Sequence, residues 1–270
     1  MQTRRHFIRV ALTGTVAAGG CGARHEPATD TPNEEQNMAD HLNVGMLVFP
    51  RMDQVDLTGP FAVLSRLPNA SVQLLWKDTK PVRDYRGLGL MPDARLTEAE
   101  PVDLLVVPGG PGQEDLMEDE GVLSFITQQA ARAKCVFSVC TGALVCGAAG
   151  LLKGRSATTH WRSVHLLKYF GAVAKDQRVV VDGTFVSAAG LTAGIDGALR
   201  VAELLRGSDS AKAIQLDLQY APEPPFDCGH PDKAPAELVA KLKGATEKLT
   251  AQRLVTAKRA AARLKVPVED

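Results

Sequence analysis

The chain has 270 residues, 45% hydrophobic and 23% charged, with equal numbers of basic and acidic side chains and a formal net charge of zero. That balance fits one or at most two soluble globular domains and excludes the basic surface of a nucleic-acid binder. Only 5% of residues are aromatic, which suits parallel strands covered by small-residue helices better than a β-sandwich.

Thr3-Arg4-Arg5-His6-Phe7-Ile8-Arg9 carries paired arginines followed by apolar residues, the pattern read by the twin-arginine exporter. Residues 10–20 form an Ala/Gly-rich stretch too short to span a bilayer. Ala18-Gly19-Gly20-Cys21 is similar to a lipoprotein cleavage box with Ala18 where Leu is usual, which makes Cys21 a lipidation candidate and a point of membrane anchoring. Residues 1–21 therefore read as an export signal to the periplasm or cell envelope; a start at Met38 would leave the protein cytoplasmic. Residues 22–42 hold too few apolar groups to repay ordering and read as a tether. A folded domain is expected over residues 43–221, then a proline-rich connection and a basic helix over 222–270.

Val44 to Phe49, ended by Pro50, predicts a first strand buried on both faces. Thr58-Gly59-Pro60 predicts the opening of a helix to about Arg66, with the proline in the first turn. Ser71 to Trp76 predicts the next strand, and Arg86 to Met91 a small hairpin. Strands at Asp103–Val107 and Cys135–Val139 flank a helix at Val122–Arg132. A hairpin turned by Asp182-Gly183 joins Val179–Val181 to Thr184–Ser187, before an amphipathic helix from Gly194 to Arg206. One long basic helix, Ala236 to Leu264, is expected to show its Lys and Arg residues to solvent. Strands alternating with helices require crossovers, so the fold class is α/β: a doubly wound, mostly parallel sheet with helices on both faces.

Ligands of such sheets bind beyond the carboxyl ends of the strands. Three places qualify: Asp56, the Gly109-Gly110 turn, and Cys140-Thr141-Gly142. Ser138-Val139-Cys140-Thr141-Gly142 has the layout of a nucleophile elbow, with Ser138 where glycine is usual. There Cys140 is expected to be displayed, with a pKa lowered by the helix N-terminus. Cys135 and Cys146 read as packing residues. The five cysteines show no C-x-x-C pair and no zinc spacing, so no metal is expected; a bridge from Cys228 stays open. Pro108-Gly109-Gly110-Pro111-Gly112 either converges N–H groups on a developing charge or is simply a turn. Asp56 has two readings, a site carboxylate or a helix cap in competition with Thr58, and His160 either flanks the site or packs.

Taken together, Val55-Asp56-Leu57-Thr58-Gly59-Pro60, Val107-Pro108-Gly109-Gly110, Ser138-Val139-Cys140-Thr141-Gly142-Ala143, Ala157-Thr158-Thr159-His160-Trp161 and Leu191-Thr192-Ala193-Gly194-Ile195-Asp196 resemble the ThiJ/PfpI superfamily. Within it the pattern is most similar to the isonitrile hydratases. The resemblance implies a flavodoxin-like fold, a homodimer, no cofactor, and the addition of water to an isonitrile to give an N-substituted formamide. It also implies the catalytic set Cys140, Thr141 and Asp56, with Gly109, Gly110 and His160 around the substrate. Proteases and glyoxalases of the superfamily usually carry a histidine after the cysteine or a glutamate at the acid position, where this chain has Thr141 and Asp56. The export signal, the C-terminal helix and Ala62 depart from the usual hydratase. The competing expectation is a non-catalytic redox sensor or ligand binder in the cell envelope, built on an oxidisable Cys140.

Overall fold

Short apolar runs become adjacent parallel strands in the computed structural model of the chain, which describes residues 40–268. The predicted export signal, the Cys21 lipidation candidate and nearly all of the tether lie outside the described residues. In chain order the first elements are β1 (Leu42–Leu47), α1 (Gln54–Leu64), β2 (Ala70–Trp76), β3 (Val82–Arg83), β4 (Gly89–Leu90) and β5 (Ala94–Arg95). Then come β6 (Leu104–Val107), α2 (Gln113–Leu116), α3 (Glu120–Ala130), β7 (Cys135–Val139) and α4 (Gly142–Ala148). β8 (Ser156–Ala157), a 3-10 segment (Val164–Phe170) and β9 (Val173–Ala174) precede the hairpin strands β10 (Val179–Asp182) and β11 (Phe185–Ala188). The helices α5 (Ala193–Asp217), α6 (Ala236–Gly244) and α7 (Glu247–Leu264) complete the described chain.

Seven strands form the central sheet in the order β10-β11-β7-β6-β1-β2-β5. All neighbours run parallel except the β10/β11 hairpin. β6 and β7 are buried along their whole lengths, as continuous apolar runs in a doubly covered sheet should be. α1 and α5 pack together on one face, whereas α3, α4, the 3-10 segment and α7 cover the other. The flavodoxin-like α/β architecture is thus as expected. Among the described residues no helix is long and apolar enough to cross a membrane.

Four expectations shift in detail. α1 opens at Gln54 rather than at Thr58, because the side chain of Asp53 caps it by accepting from Val55 N (3.1 Å). Pro60 therefore stands inside the helix, where its missing N–H removes a bond to the carbonyl of Asp56. The expected hairpin is present, but its strands are β3 and β4, paired Val82 to Leu90 and Arg83 to Gly89. The long C-terminal helix is two helices parted near Thr246, and α7 is not a solvated face throughout: it buries Arg253, Thr256, Ala257, Ala260 and Ala261. α5 breaks at Gly207 (φ 81°), one residue past its expected end, then continues to Asp217.

Helix-to-sheet packing relies on close approach. A Cβ on Gly197 of α5 would fall 2.7 Å from the Phe137 ring, which is itself completely buried in β7. Phe137→Ala should lower unfolding free energy by roughly 3–5 kcal/mol through the cavity it leaves. Urea melts of the variant check this; a loss below about 1 kcal/mol would mean that β7 is not the centre of the core.

Candidate active site

The adjacent strands β1, β6, β7 and β11 all end at one edge of the sheet, and the residues after them meet there. After β7 the chain turns sharply into α4, and Cys140 at the bend adopts φ 55°, the left-handed region that a cysteine rarely occupies. That strain, of order 1–3 kcal/mol, is held by two bonds: Cys140 N donates to Ala188 O (3.0 Å) and Thr159 Oγ1 donates to Cys140 O (2.7 Å). Gly142 follows because a Cβ there would lie 2.0 Å from Val107 O. The bend is therefore an elbow, even with Ser138 in the usual glycine position.

Asp56 is completely buried in the first turn of α1. Its Oδ2 accepts from Gly109 N (3.1 Å), and Asp53 rather than Asp56 is the cap of α1, so the capping reading of Asp56 falls. Among the described residues Oδ1 has no donor at ordinary hydrogen-bonding geometry. The Cys140 thiol and the Leu191 N–H nevertheless stand near enough to bias the carboxyl toward its ionised form. Burial outweighs them, and the neighbouring Asp53 carboxylate adds repulsion, so the Asp56 pKa is pushed up to about 8.

The expected low-pKa, displayed thiol is not found. Cys140 is only 5% exposed, and burial first, then the adjacent Asp56 charge, raise its pKa well above the ordinary thiol value. The Thr141 N–H and the positive charge of Arg253 oppose that shift without overcoming it. A helix N-terminus lowers a thiol pKa where solvation is otherwise unchanged; here desolvation is the larger effect. Sulfur and carboxyl are thus a coupled, buried pair that resists carrying two negative charges.

The Gly109-Gly110 turn does not offer free N–H groups, contrary to expectation. Gly109 N is committed to Asp56, and Gly110 N donates to Thr141 Oγ1 (3.1 Å). Thr141 is likewise buried and engaged, so its hydroxyl clamps the turn instead of facing a ligand. The carbonyls are used as well: Gly109 O accepts from Asp53 N (2.9 Å) and Gly110 O from Arg253 Nη2 (3.2 Å). No side chain would fit, since a Cβ on Gly109 would lie 2.5 Å from Thr141 N and one on Gly110 2.3 Å from Asp53 N.

His160 flanks the site. Burial and the charges of Arg162 and Arg253 lower its pKa to about 4, and its Nδ1 accepts from Arg162 N (3.3 Å). The ring is therefore neutral at pH 7, with its hydrogen on Nε2. It lines a cavity of about 620 Å³ together with Thr159, Trp161, Gly190, Leu191 and Phe226, the last from the proline-rich segment. Asp176 and His230 line the same cavity, and with Asp232 they are the described residues that could hold a metal ion, with ligand atoms within 4.8 Å of one another. A smaller cavity of about 280 Å³ opens near Leu42 and Cys135, at the amino ends of the strands and away from these residues.

Comparison with known proteins places the fold in a family. Residues 43–204 match the model of the DJ-1/PfpI family. The chain belongs to the DJ-1/PfpI family. It is 48% identical over 223 residues to an isonitrile hydratase of Pseudomonas putida, covering 83% of this chain and 98% of the relative. A crystal structure of a ThiJ/PfpI family protein from Pseudomonas syringae superposes with TM-score 0.79 at 34% identity, over 86% of this chain and 97% of that one. A glutathione-independent glyoxalase of Caenorhabditis elegans is more distant, 24% identical over 57% of this chain and 85% of its own.

The residues missed in sequence are Asp53, Glu114, Thr159, Leu191, Arg253 and Thr256. Arg253 carried a usable signal: it shares one helix stripe with Ala257, Ala260 and Ala261, whose small side chains mark a packed face.

Between the ordinary 3.8 and about 8, folded Asp56 keeps a proton that the unfolded chain has released, so its burial makes the fold less stable as pH rises. Asp56→Asn removes that dependence. Urea melts should show the variant gaining on the parent by up to about 1.4 kcal/mol per pH unit across that window, and parallel curves would contradict the raised carboxyl pKa.

Proposed function

We propose that this DJ-1/PfpI protein is an isonitrile hydratase-like enzyme that adds water to an isonitrile through Cys140, giving an N-substituted formamide. The observation that carries this reading is the pairing of the Cys140 thiol with a completely buried Asp56 carboxyl that burial keeps protonated near neutral pH. The 48% identity to the Pseudomonas putida isonitrile hydratase supports it.

An isonitrile carbon must gain a nucleophile and a proton together. Asp56 gives its proton to that carbon while sulfur bonds to it, and the thiol proton passes to the other Asp56 oxygen. One S–H bond breaks, one C–H and one C–S bond form, and a thioimidate results with Asp56 again protonated. Water then adds to the thioimidate carbon as its proton reaches the substrate nitrogen through Asp56. Collapse breaks the C–S bond, returns the hydroxyl proton to sulfur and releases the formamide. No cofactor enters this balance. Thr141 acts by fixing Gly110, and the neutral His160 lines the space for the substituent on nitrogen.

The burial of Cys140 also fits the substrate class. An isonitrile head is a linear two-atom group, slim enough for a narrow approach, whereas a peroxide sensor relies on an accessible, low-pKa thiol. A homodimer and an exported location belong to the same proposal.

Cys140→Ala and Asp56→Asn should each lower formamide production from a small alkyl isonitrile by at least about 1000-fold while leaving the fold intact. In the parent, kcat/KM should fall as pH rises through about 8, where Asp56 loses its proton. Turnover of a dicarbonyl but no isonitrile would replace this reading with a glyoxalase one, and an active Cys140→Ala variant would end the covalent route.

A further inference from the structure

Arg253 is a buried charge with no task in the steps above. It is 7% exposed, and a desolvated guanidinium is costly unless it is well paired. Its pairing is incomplete: Nη2 donates to Gly110 O (3.2 Å), while Nε has no acceptor among the described residues. The buried carboxylate acting on it, Glu114, shares itself with Thr256, whose Oγ1 donates to Glu114 Oε1. An arginine kept only for packing would have its donors satisfied. This one leaves a donor unused at the edge of the site, and its field reaches both Cys140 and His160. His160 is neutral, so the lasting positive charge beside the sulfur is the guanidinium.

We propose that Arg253, carried into the site by α7 and anchored on the Gly110 carbonyl, is the positioning residue that stabilises negative charge developing on the Cys140 sulfur. The inference rests on the reading of Cys140 as the nucleophile, and it extends the site to a helix beyond the 43–204 family match. Glu114 tunes the effect: its carboxylate holds part of the guanidinium field, and the Thr256 hydroxyl fixes the carboxylate.

The test is the pH dependence of Cys140 alkylation by iodoacetamide, followed by peptide mass in a Cys228→Ser background so that the exposed thiol does not consume reagent. Arg253→Met should raise the alkylation midpoint by about one unit or more and slow alkylation at pH 7 at least tenfold. Arg253→Lys should recover most of the loss, which a packing role would not predict. Glu114→Gln should move the midpoint the other way, by freeing the guanidinium, and it decides the matter if Arg253→Met does not fold. An unmoved midpoint in Arg253→Met, equal shifts in the Met and Lys variants, or an upward shift in Glu114→Gln would overturn the assignment. None of these readouts uses an isonitrile: a parent protein that makes no formamide fails the hydratase reading alone.

Discussion

Two peptide units, Gly109 and Gly110, hold the site together. Their two N–H groups and two carbonyls are all spent, on Asp56, Thr141, the backbone of Asp53 and Arg253. These partners come from three separate stretches of chain: the segment Asp53–Asp56 that opens α1, the elbow before α4, and α7. Buried peptide groups must be satisfied, so the position of each partner is tied to the others through about 3 Å of hydrogen bond. The absence of side chains is what permits this, since the space a Cβ would need is filled by the backbone of Asp53 and Thr141. Such a turn is a junction more than a ligand cradle.

The second constraint is solvation. Cys140 and Asp56 sit where water is nearly absent, and both prefer to keep their protons. A helix N-terminus would favour a thiolate in water; in this interior it only softens the penalty. The consequence is a pair that holds its protons near neutral pH instead of storing a charge, with a neutral histidine alongside.

Much of the sheet was legible because its central strands are short, mostly apolar runs; the bounds of β7, Cys135–Val139, could be read directly. The belonging to the DJ-1/PfpI family was legible in the same segments that build the elbow. What was hidden has one physical cause: a residue's type does not reveal its partner. Asp56 and Asp53 look alike three positions apart, and only packing decides which caps α1 and which faces sulfur. The glycines were rightly placed at the site, but their N–H groups could not be seen to be spoken for. Arg253 looked like one more solvated cation in a basic helix, although the alanines one and two turns on shared its stripe. The direction of the Cys140 shift was misjudged because dipole effects follow from chain order, whereas desolvation depends on the whole fold.

The link from Arg253 to Gly110 joins residues 143 positions apart. A chain emerging from the ribosome as far as β11 already contains Cys140, Asp56 and every strand of the central sheet. It still lacks the guanidinium and the Thr256 hydroxyl that close this end of the molecule. The last contact of the Gly110 junction therefore cannot form until α7 itself has been made, long after the strands it locks together.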